Sequence, residues 1–310
     1  MVQFEAYGPP EVVEIAAVDP PHAGPGEVRI AVRASGLSTG EVRIRSGALR
    51  EIVPARFPWR TGFDAAGVID EVGDGVEGVA VGEEVFGIVA SALRGANADH
   101  AVLVAWAPRP PAWSWEEAGG AAGSVETATR VLDRLEVGKA TLLVQGGAGA
   151  TGAVVVQMAR ARGAAVVATA SAENHGFVTS LGATPTTYGP GLVDRVRALA
   201  PEGVGAVLDC AGGALPELVA LAGDPARVVT IADLGAAAHG VHLSHGAPAG
   251  EAAGTGADPL AVHGLPVAVS LAAEGLLRVP VAAAFPLEEA AAAHRLSERR
   301  HAPGRIVLVN

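Results

Sequence analysis

The chain has 310 residues, enough for about two domains, each with its own core. Half of the residues are hydrophobic, only 18% are charged and 41 are Gly, which excludes a disordered or low-complexity chain. A net charge of −11 with no basic cluster argues against nucleic acid or an anionic membrane surface as partner. Cys210 stands alone, so no internal disulfide or multi-cysteine metal site is expected, and a reducing cytoplasm fits. The start, Met1-Val2-Gln3-Phe4-Glu5, lacks the charged and apolar regions of a signal peptide. No uncharged apolar run reaches the ~18 residues that a membrane span needs.

Residues 1 to about 117 read as short strands between turns. Glu27 to Ala34 alternates polar and apolar residues, the period of a half-buried strand. Gly67 to Val72, Val81 to Gly87 and Ala101 to Val104 follow as further strands, and prolines at 108, 110 and 111 mark a domain edge. From about 118 the pattern becomes strand–helix alternation. Ala140 to Val144 is a continuous apolar run, as in a strand buried on both faces. Gly152 to Arg162 has helical spacing, Ala165 to Thr169 is a strand, and Gly176 to Leu181 is a short helix. Val204 to Asp209 and Arg227 to Ala232 are further buried strands. This alternation predicts an α/β unit, a doubly wound parallel sheet covered by helices on both faces. Val279 to Phe285 is expected as the exposed edge strand of that sheet, and its pairing across a two-fold axis predicts a homodimer. A helix over Leu287 to Ser297 and a strand over Arg305 to Val309 close the chain.

Between the first apolar strand and its helix lies Gly146-Gly147-Ala148-Gly149-Ala150-Thr151-Gly152, which contains GxGxxG. In that setting the glycines let the backbone approach a pyrophosphate, and the helix N-terminus offers its amides to the phosphates. The next strand runs into Val167-Ala168-Thr169-Ala170-Ser171 with no acid before Glu173. Ser171 and Asn174 instead supply donors for a 2′-phosphate and His175 adds partial charge, so NADP(H) is the expected cofactor. Ordinary helix capping is the other reading of Ser171 and Asn174.

Further segments carry a family resemblance: Ala34-Ser35-Gly36-Leu37-Ser38, Gly62-Phe63-Asp64-Ala65-Ala66-Gly67-Val68, Val72-Gly73 and Val156-Gln157-Met158-Ala159. Leu181-Gly182-Ala183, Asp209-Cys210-Ala211-Gly212-Gly213 and Pro303-Gly304-Arg305-Ile306-Val307-Leu308 complete the set. Together they resemble the zinc-independent, quinone-oxidoreductase-like branch of the medium-chain dehydrogenases/reductases. The resemblance implies a GroES-like β-barrel domain over 1–117, completed by about 275–310, and a Rossmann NADP-binding domain over 118–274. It also implies an active site in the cleft, a homodimer, Thr127 near the nicotinamide and Tyr188 near the adenosine end. Zinc-dependent relatives carry Cys where Ser38 stands and His-Glu where Phe63-Asp64 stands, so no metal is expected. Quinone-reductase relatives carry Asn at the Ser38 position, Asp at Glu41 and Tyr at Asn97, and these departures bear on substrate and proton source.

Without a metal, hydride transfer favours an activated acceptor, a quinone or an α,β-unsaturated carbonyl, whose negative charge spreads onto a distant oxygen. The candidate catalytic residues are Ser38, Glu41 and Asn97, with Trp59 and Phe63 lining an apolar slot. All but Asn97 have a plainer reading. Ser38 bonds its own backbone, Glu41 caps a helix near Gly40, and Trp59 and Phe63 pack in the core. His22, His100, His239, His242, His245, His263, His294 and His301 show no metal spacing and are expected at the surface or in loops. Three alternatives remain: an enoyl reductase acting on one natural-product intermediate, a non-catalytic NADPH-binding protein, and a zinc alcohol dehydrogenase that the missing ligands argue against.

Overall fold

A computed structural model describes residues 1–89, 95–247, 256–299 and 302–310, so His301 lies outside the described residues. The chain separates into two units: Met1–Gly123 with Leu265–Ala273 and Arg278–Asn310, and Ser124–Gly264 with Glu274–Leu277.

In the first unit, β1 (Val2–Phe4), β2 (Glu14–Ile15) and β4 (Trp59–Arg60) make a small antiparallel sheet that the sequence pattern does not reveal. Its strands are two or three residues long, too short for a period to show. The main strand is β3 (Val28–Leu37), whose apolar residues Val28, Ile30 and Val32 alternate into a core. It leads into helix α1 (Thr39–Arg45). Then come β5 (Asp64–Val72), β6 (Glu84–Val89), β7 (His100–Pro108) and α2 (Trp115–Gly119). β3 pairs with both β5 and β7, and β6 joins those two, so four antiparallel strands close on themselves. Closure removes the free edges that an open antiparallel sheet would expose.

The second unit holds α3 (Ala122–Arg134) from its third residue on, then β8 (Thr141–Gln145), α4 (Ala150–Ala161), β9 (Ala165–Thr169) and α5 (His175–Ser180). β10 (Thr184–Thr186), α6 (Leu192–Leu199), β11 (Ala206–Asp209), α7 (Leu215–Ala222), β12 (Val228–Thr230) and β13 (His242–Leu243) follow. Six parallel strands stand in the order β10-β9-β8-β11-β12-β13, the doubly wound arrangement expected from the alternation. Leu143, Val167, Val207 and Val228 join Leu192, Val196, Leu215 and Leu218 in one core cluster. Two short strands, β14 (Gly246–Ala247) and β15 (Asp258–Pro259), pair with each other, and α8 (Gly264–Ala273) follows. No helix among the described residues is long and apolar enough to cross a membrane.

All of α8 but Gly264 belongs to the first unit, as do β16 (Val281–Pro286), α9 (Ala290–Glu298) and β17 (Arg305–Val309). The expected strand over 279–285 is therefore real but belongs to the other sheet. β16 pairs in parallel with β17, which pairs antiparallel with β3, so β16 edges the barrel sheet. The parallel sheet ends instead at β10 and β13, so the argument for its pairing through 279–285 falls.

His294 corrects a second expectation. It is buried in α9, fully excluded from solvent, and neither ring nitrogen has a hydrogen-bond partner among the described residues. Burial, with the nearby Arg45 guanidinium adding to it, pushes its pKa down to about 3. The ring thus stays neutral in the fold while the unfolded chain takes up a proton from about pH 6.5 downward. The stability this group contributes is complete above pH 6.5 and is lost as the pH falls towards 3, at about 1.4 kcal/mol per pH unit. His294→Leu, of similar volume, is expected to flatten that part of the curve and raise stability at pH 5, as measured by urea denaturation between pH 4 and 8. An unchanged pH dependence would refute this account.

Candidate active site

The order of the parallel sheet reverses between β8 and β11, and ligands of such sheets sit beyond the carboxyl ends of the strands at that reversal. The glycine loop leaves β8 there. Gly146 has φ +84°, a conformation that favours glycine. Its N–H donates to Thr169 Oγ1 at 2.9 Å, and Thr169 Oγ1 donates to Gln145 Oε1 at 2.8 Å. Gly147 N–H donates to Thr169 O at 2.9 Å. Each glycine meets a different steric limit. A Cβ on Gly147 would lie 2.6 Å from Ala168 Cβ, and one on Gly152 would lie 2.2 Å from Gly146 O. Gly149 is the exposed N-cap of α4, and a Cβ there would stand 3.4 Å from Gly146 O. Ala150, Thr151 and Gly152 form the first turn of α4, where amides have no intrahelical partner. Ala148 completes the loop between them.

The neighbouring strand ends extend this row. Ala170 N–H donates to Thr186 O at 2.9 Å, so the loops after β9 and β10 leave side by side. In the first of them Asn174 Nδ2 donates to Ser171 Oγ at 3.0 Å, and Ser171 Oγ donates to Glu173 Oε1 at 3.3 Å. The acid that the sequence places just past the strand is thus turned back onto Ser171. His175 opens α5, and its Nε2 is buried with no partner among the described residues. Tyr188, in the second loop, is 55% exposed. Thr127 lies half-buried on α3, donating to Glu126 Oε2 at 3.2 Å and accepting from Arg130 Nη2 at 3.3 Å. The buried Glu126–Arg130 pair extends this network. Arg130 donates to Ser244 Oγ, which donates to Asp258 Oδ2 at 2.5 Å, and His242 Nε2 lies 2.9 Å from the same oxygen.

In the barrel unit, Ser38 and Glu41 form a capping box at the start of α1. Glu41 N–H donates to Ser38 Oγ at 3.1 Å, and Ser38 N–H donates to Glu41 Oε2 at 2.9 Å. The other carboxylate oxygen accepts from Gly62 N–H. Glu41 is 1% exposed. Burial pushes its pKa up to about 7, against the two amide donors and the Arg305 charge. Asp64, fully buried, accepts from Arg305 Nη2 at 2.6 Å and from Gly123 N–H at 2.8 Å.

Gly62 joins the next pair of candidates to this cluster. Its φ is +100°, and a Cβ on it would lie 2.4 Å from Asn97 N. Asn97 is fully buried. Its Nδ2 donates to Thr61 Oγ1 at 2.9 Å, its N–H donates to Thr61 O at 3.0 Å, and its carbonyl accepts from Val2 N–H at 2.8 Å. Trp59 stacks on Phe4 with centroids 6.4 Å apart and lies in the core, its Nε1 buried without a partner among the described residues. Phe63 is half-buried. The structure thus joins Ser38, Glu41 and Gly62 by hydrogen bonds, with the Asp64 and Arg305 charges acting on Glu41 and Asn97 packed against Gly62, while Trp59 lies in a separate cluster with Phe4 and Ile44. Sequence reasoning quoted Arg305 within a motif and missed its pairing. It also missed Thr169 and the Glu126–Arg130 pair, the latter visible as an i, i+4 ion pair on a helix. No group of three or more His, Cys, Asp or Glu able to hold a metal occurs among the described residues.

Two family models match this chain: the alcohol dehydrogenase GroES-like domain over residues 24–131, and a zinc-binding dehydrogenase family over 181–308. A polyketide synthase system protein, NorB of Streptomyces orinoci, is 38% identical over 161 residues, which are 51% of this chain and 7% of that protein. The chain spans about half the length of the next curated relatives it matches. Among solved structures, an NAD-dependent alcohol dehydrogenase is 28% identical, with TM-score 0.83, covering 100% of this chain and 99% of that one. Escherichia coli quinone oxidoreductase complexed with NADPH superposes with TM-score 0.79 at 23% identity, covering 100% and 99%. The likeness extends over both units, and the chain belongs to the medium-chain dehydrogenase/reductase superfamily, with quinone-oxidoreductase-like homologues.

Proposed function

We propose that this protein is a nicotinamide-dependent oxidoreductase that reduces a quinone or a conjugated enone without a metal, with NADPH as the preferred hydride source. The glycine loop carries this reading. Gly147 and Gly152 have no room for a Cβ, while Gly149 keeps the exposed N-cap of α4 clear, which is the shape a pyrophosphate needs. A bound reduced nicotinamide supplies the hydride. The chain's own residues bind, orient and hold a proton.

Ser38 is the electrophilic group of this reading. Its Oγ lone pair is taken by Glu41 N–H, so its own O–H is left to donate to the oxygen on which charge develops. Glu41 is a positioning residue, since both of its oxygens are held by backbone amides. Ser38 and Phe63 stand where thiolate and imidazole ligands would be needed, so a quinone or enone, which asks for less polarisation than a simple ketone, is the matching substrate class. The polyketide synthase likeness supports a second reading within the same chemistry, an enone of a biosynthetic pathway. A homodimer and a cytoplasmic location belong to the proposal as well.

Gly149→Asp is expected to leave thermal stability within about 1 kcal/mol of the parent and to abolish NADPH binding, because the new carboxylate stands where phosphate charge must sit. Gly152→Ala is expected to cost about 1–3 kcal/mol of stability, because the Gly146 carbonyl has to move. Fluorescence titration of NADPH with a parallel melting curve separates the two. Full NADPH affinity in Gly149→Asp would remove the glycine loop from the cofactor site.

Ser38→Ala is expected to lower kcat and kcat/KM together by about 1–3 kcal/mol of transition-state stabilisation. It also costs about 1 kcal/mol of stability through loss of the cap. NADPH oxidation is to be followed at 340 nm, as an assay wavelength, across a panel of quinones and enones (~10 compounds). NADPH binding with no turnover on any of them would leave a non-catalytic binding protein.

A further inference from the structure

We infer that Arg195 is a positioning residue for the 2′ end of the dinucleotide: it holds the Tyr188 loop and supplies there the positive charge that the loop after β9 lacks. The inference rests on the dinucleotide reading above and says what sets the preference between its phosphorylated and unphosphorylated forms.

Arg195 stands on α6 and reaches back into the turn that joins β10 to it. Nη1 donates to Pro190 O at 2.8 Å, and Nη2 donates to Thr187 O at 3.0 Å and to Tyr188 O and Gly189 O at 3.3 Å. The planar guanidinium thus gathers four successive carbonyls, which a single ammonium point charge does less well. Gly189 and Gly191 allow this wrapping, with φ of +82° and +78°, and a Cβ on Gly191 would lie 2.9 Å from Arg195 Nη1. Carbonyl dipoles solvate the cation without neutralising it. Arg195 forms no ion pair among the described residues.

The position of this charge gives it a role. β8, β9 and β10 are adjacent parallel strands, and their carboxyl ends carry, in that order, the glycine loop, Ser171 to Asn174, and Thr187 to Gly191. In a sheet of this type the pyrophosphate lies over the first loop and the ribose 2′ position over the second. The third loop is next in that row. It presents Tyr188, 55% exposed, a flat face for a purine edge, with the Arg195 cation beneath the backbone. The second loop works against a 2′-phosphate: the exposed Glu173 lies against Ser171 Oγ, in reach of a ribose hydroxyl rather than a phosphate. Preference for the phosphorylated cofactor then depends on whether the cation of the third loop outweighs the carboxylate of the second.

The test uses full-length protein, with NADPH and NADH titrated separately by fluorescence. Arg195→Gln keeps donors for the carbonyls and removes the charge. It is expected to weaken NADPH about tenfold and NADH about twofold, at low ionic strength where such a field is least screened. Arg195→Lys keeps charge and donors and is expected to restore the parent ratio to within about twofold. A structural role alone would weaken both cofactors equally, so an unchanged NADPH:NADH ratio in Arg195→Gln overturns the inference. Tyr188→Ala, at an exposed position that the fold tolerates, is expected to weaken both cofactors about equally, and unaltered binding in that variant overturns the placement of the loop. Parent protein that binds neither cofactor overturns this inference and the dinucleotide reading together. Parent protein that binds, with Arg195→Gln at the parent ratio, overturns the inference alone.

Discussion

The barrel unit depends on one buried ion pair. Asp64 and Arg305 are 241 residues apart in the chain, and their side chains meet at 2.6 Å with almost no exposure. A buried charge without its partner costs several kcal/mol, so each residue is tolerable only because the other is in place. Space for the pair has been cleared around it. A Cβ on Gly36 would lie 2.3 Å from the guanidinium, one on Gly120 2.5 Å from Arg305 Cγ, and one on Gly123 3.1 Å from the Asp64 carboxylate. Gly123 also donates its N–H to that carboxylate. The pair fixes β17 against β5, and β17 in turn pairs Ile306 with Leu37, the residue before Ser38. The position of the candidate hydroxyl is therefore tied to a charge pair buried within the barrel unit.

In the parallel-sheet unit the governing constraint is close approach of backbone. Thr169 illustrates it, since one hydroxyl accepts from Gly146 and donates to Gln145 while its carbonyl takes Gly147 N–H. The end of β9 thereby sets the curvature of the loop after β8. Hydrogen bonds of this kind are worth about 1 kcal/mol each, but a buried amide left unpaired costs more, which makes the loop shape hard to vary.

The sequence revealed most where a single period or a single steric need decides the outcome. Arg305 to Val309 is the strand expected, Ala165 to Thr169 likewise, and the helix after the glycine loop begins two residues earlier than its apolar spacing suggests. The strand over 281–286 misled for a physical reason. Val-Ala-Ala-Ala-Phe reads as a core strand of a parallel sheet, yet its small side chains stay half-exposed and it borrows its register from β17. His294 misled because neutral imidazole on a helix next to alanines gives no sign of burial. The pairing of Asp64 with Arg305, and the four carbonyls gathered by Arg195, depend on tertiary geometry that no local pattern encodes. Trp59 resolves towards the plainer of its two readings in packing terms, as a core residue stacked on Phe4.

Ser38 and Glu41 show how the same motif divides two chemical roles. A capping box satisfies helix amides, and here it does so with both oxygens of a buried carboxylate, one on Ser38 N–H and one on Gly62 N–H. Burial raises the pKa of that carboxylate to about 7, while the amides and Arg305 oppose the rise. Each carboxyl oxygen accepts one amide and keeps a second lone pair, so a proton can add to Glu41 without displacing either bond. The Ser38 oxygen accepts from Glu41 N–H, and its own hydrogen meets no acceptor among the described residues. On the proposed reading the enolate is therefore met by the Ser38 hydroxyl, a neutral donor held in place by the Glu41 carboxyl, and the proton that completes the product comes from solvent.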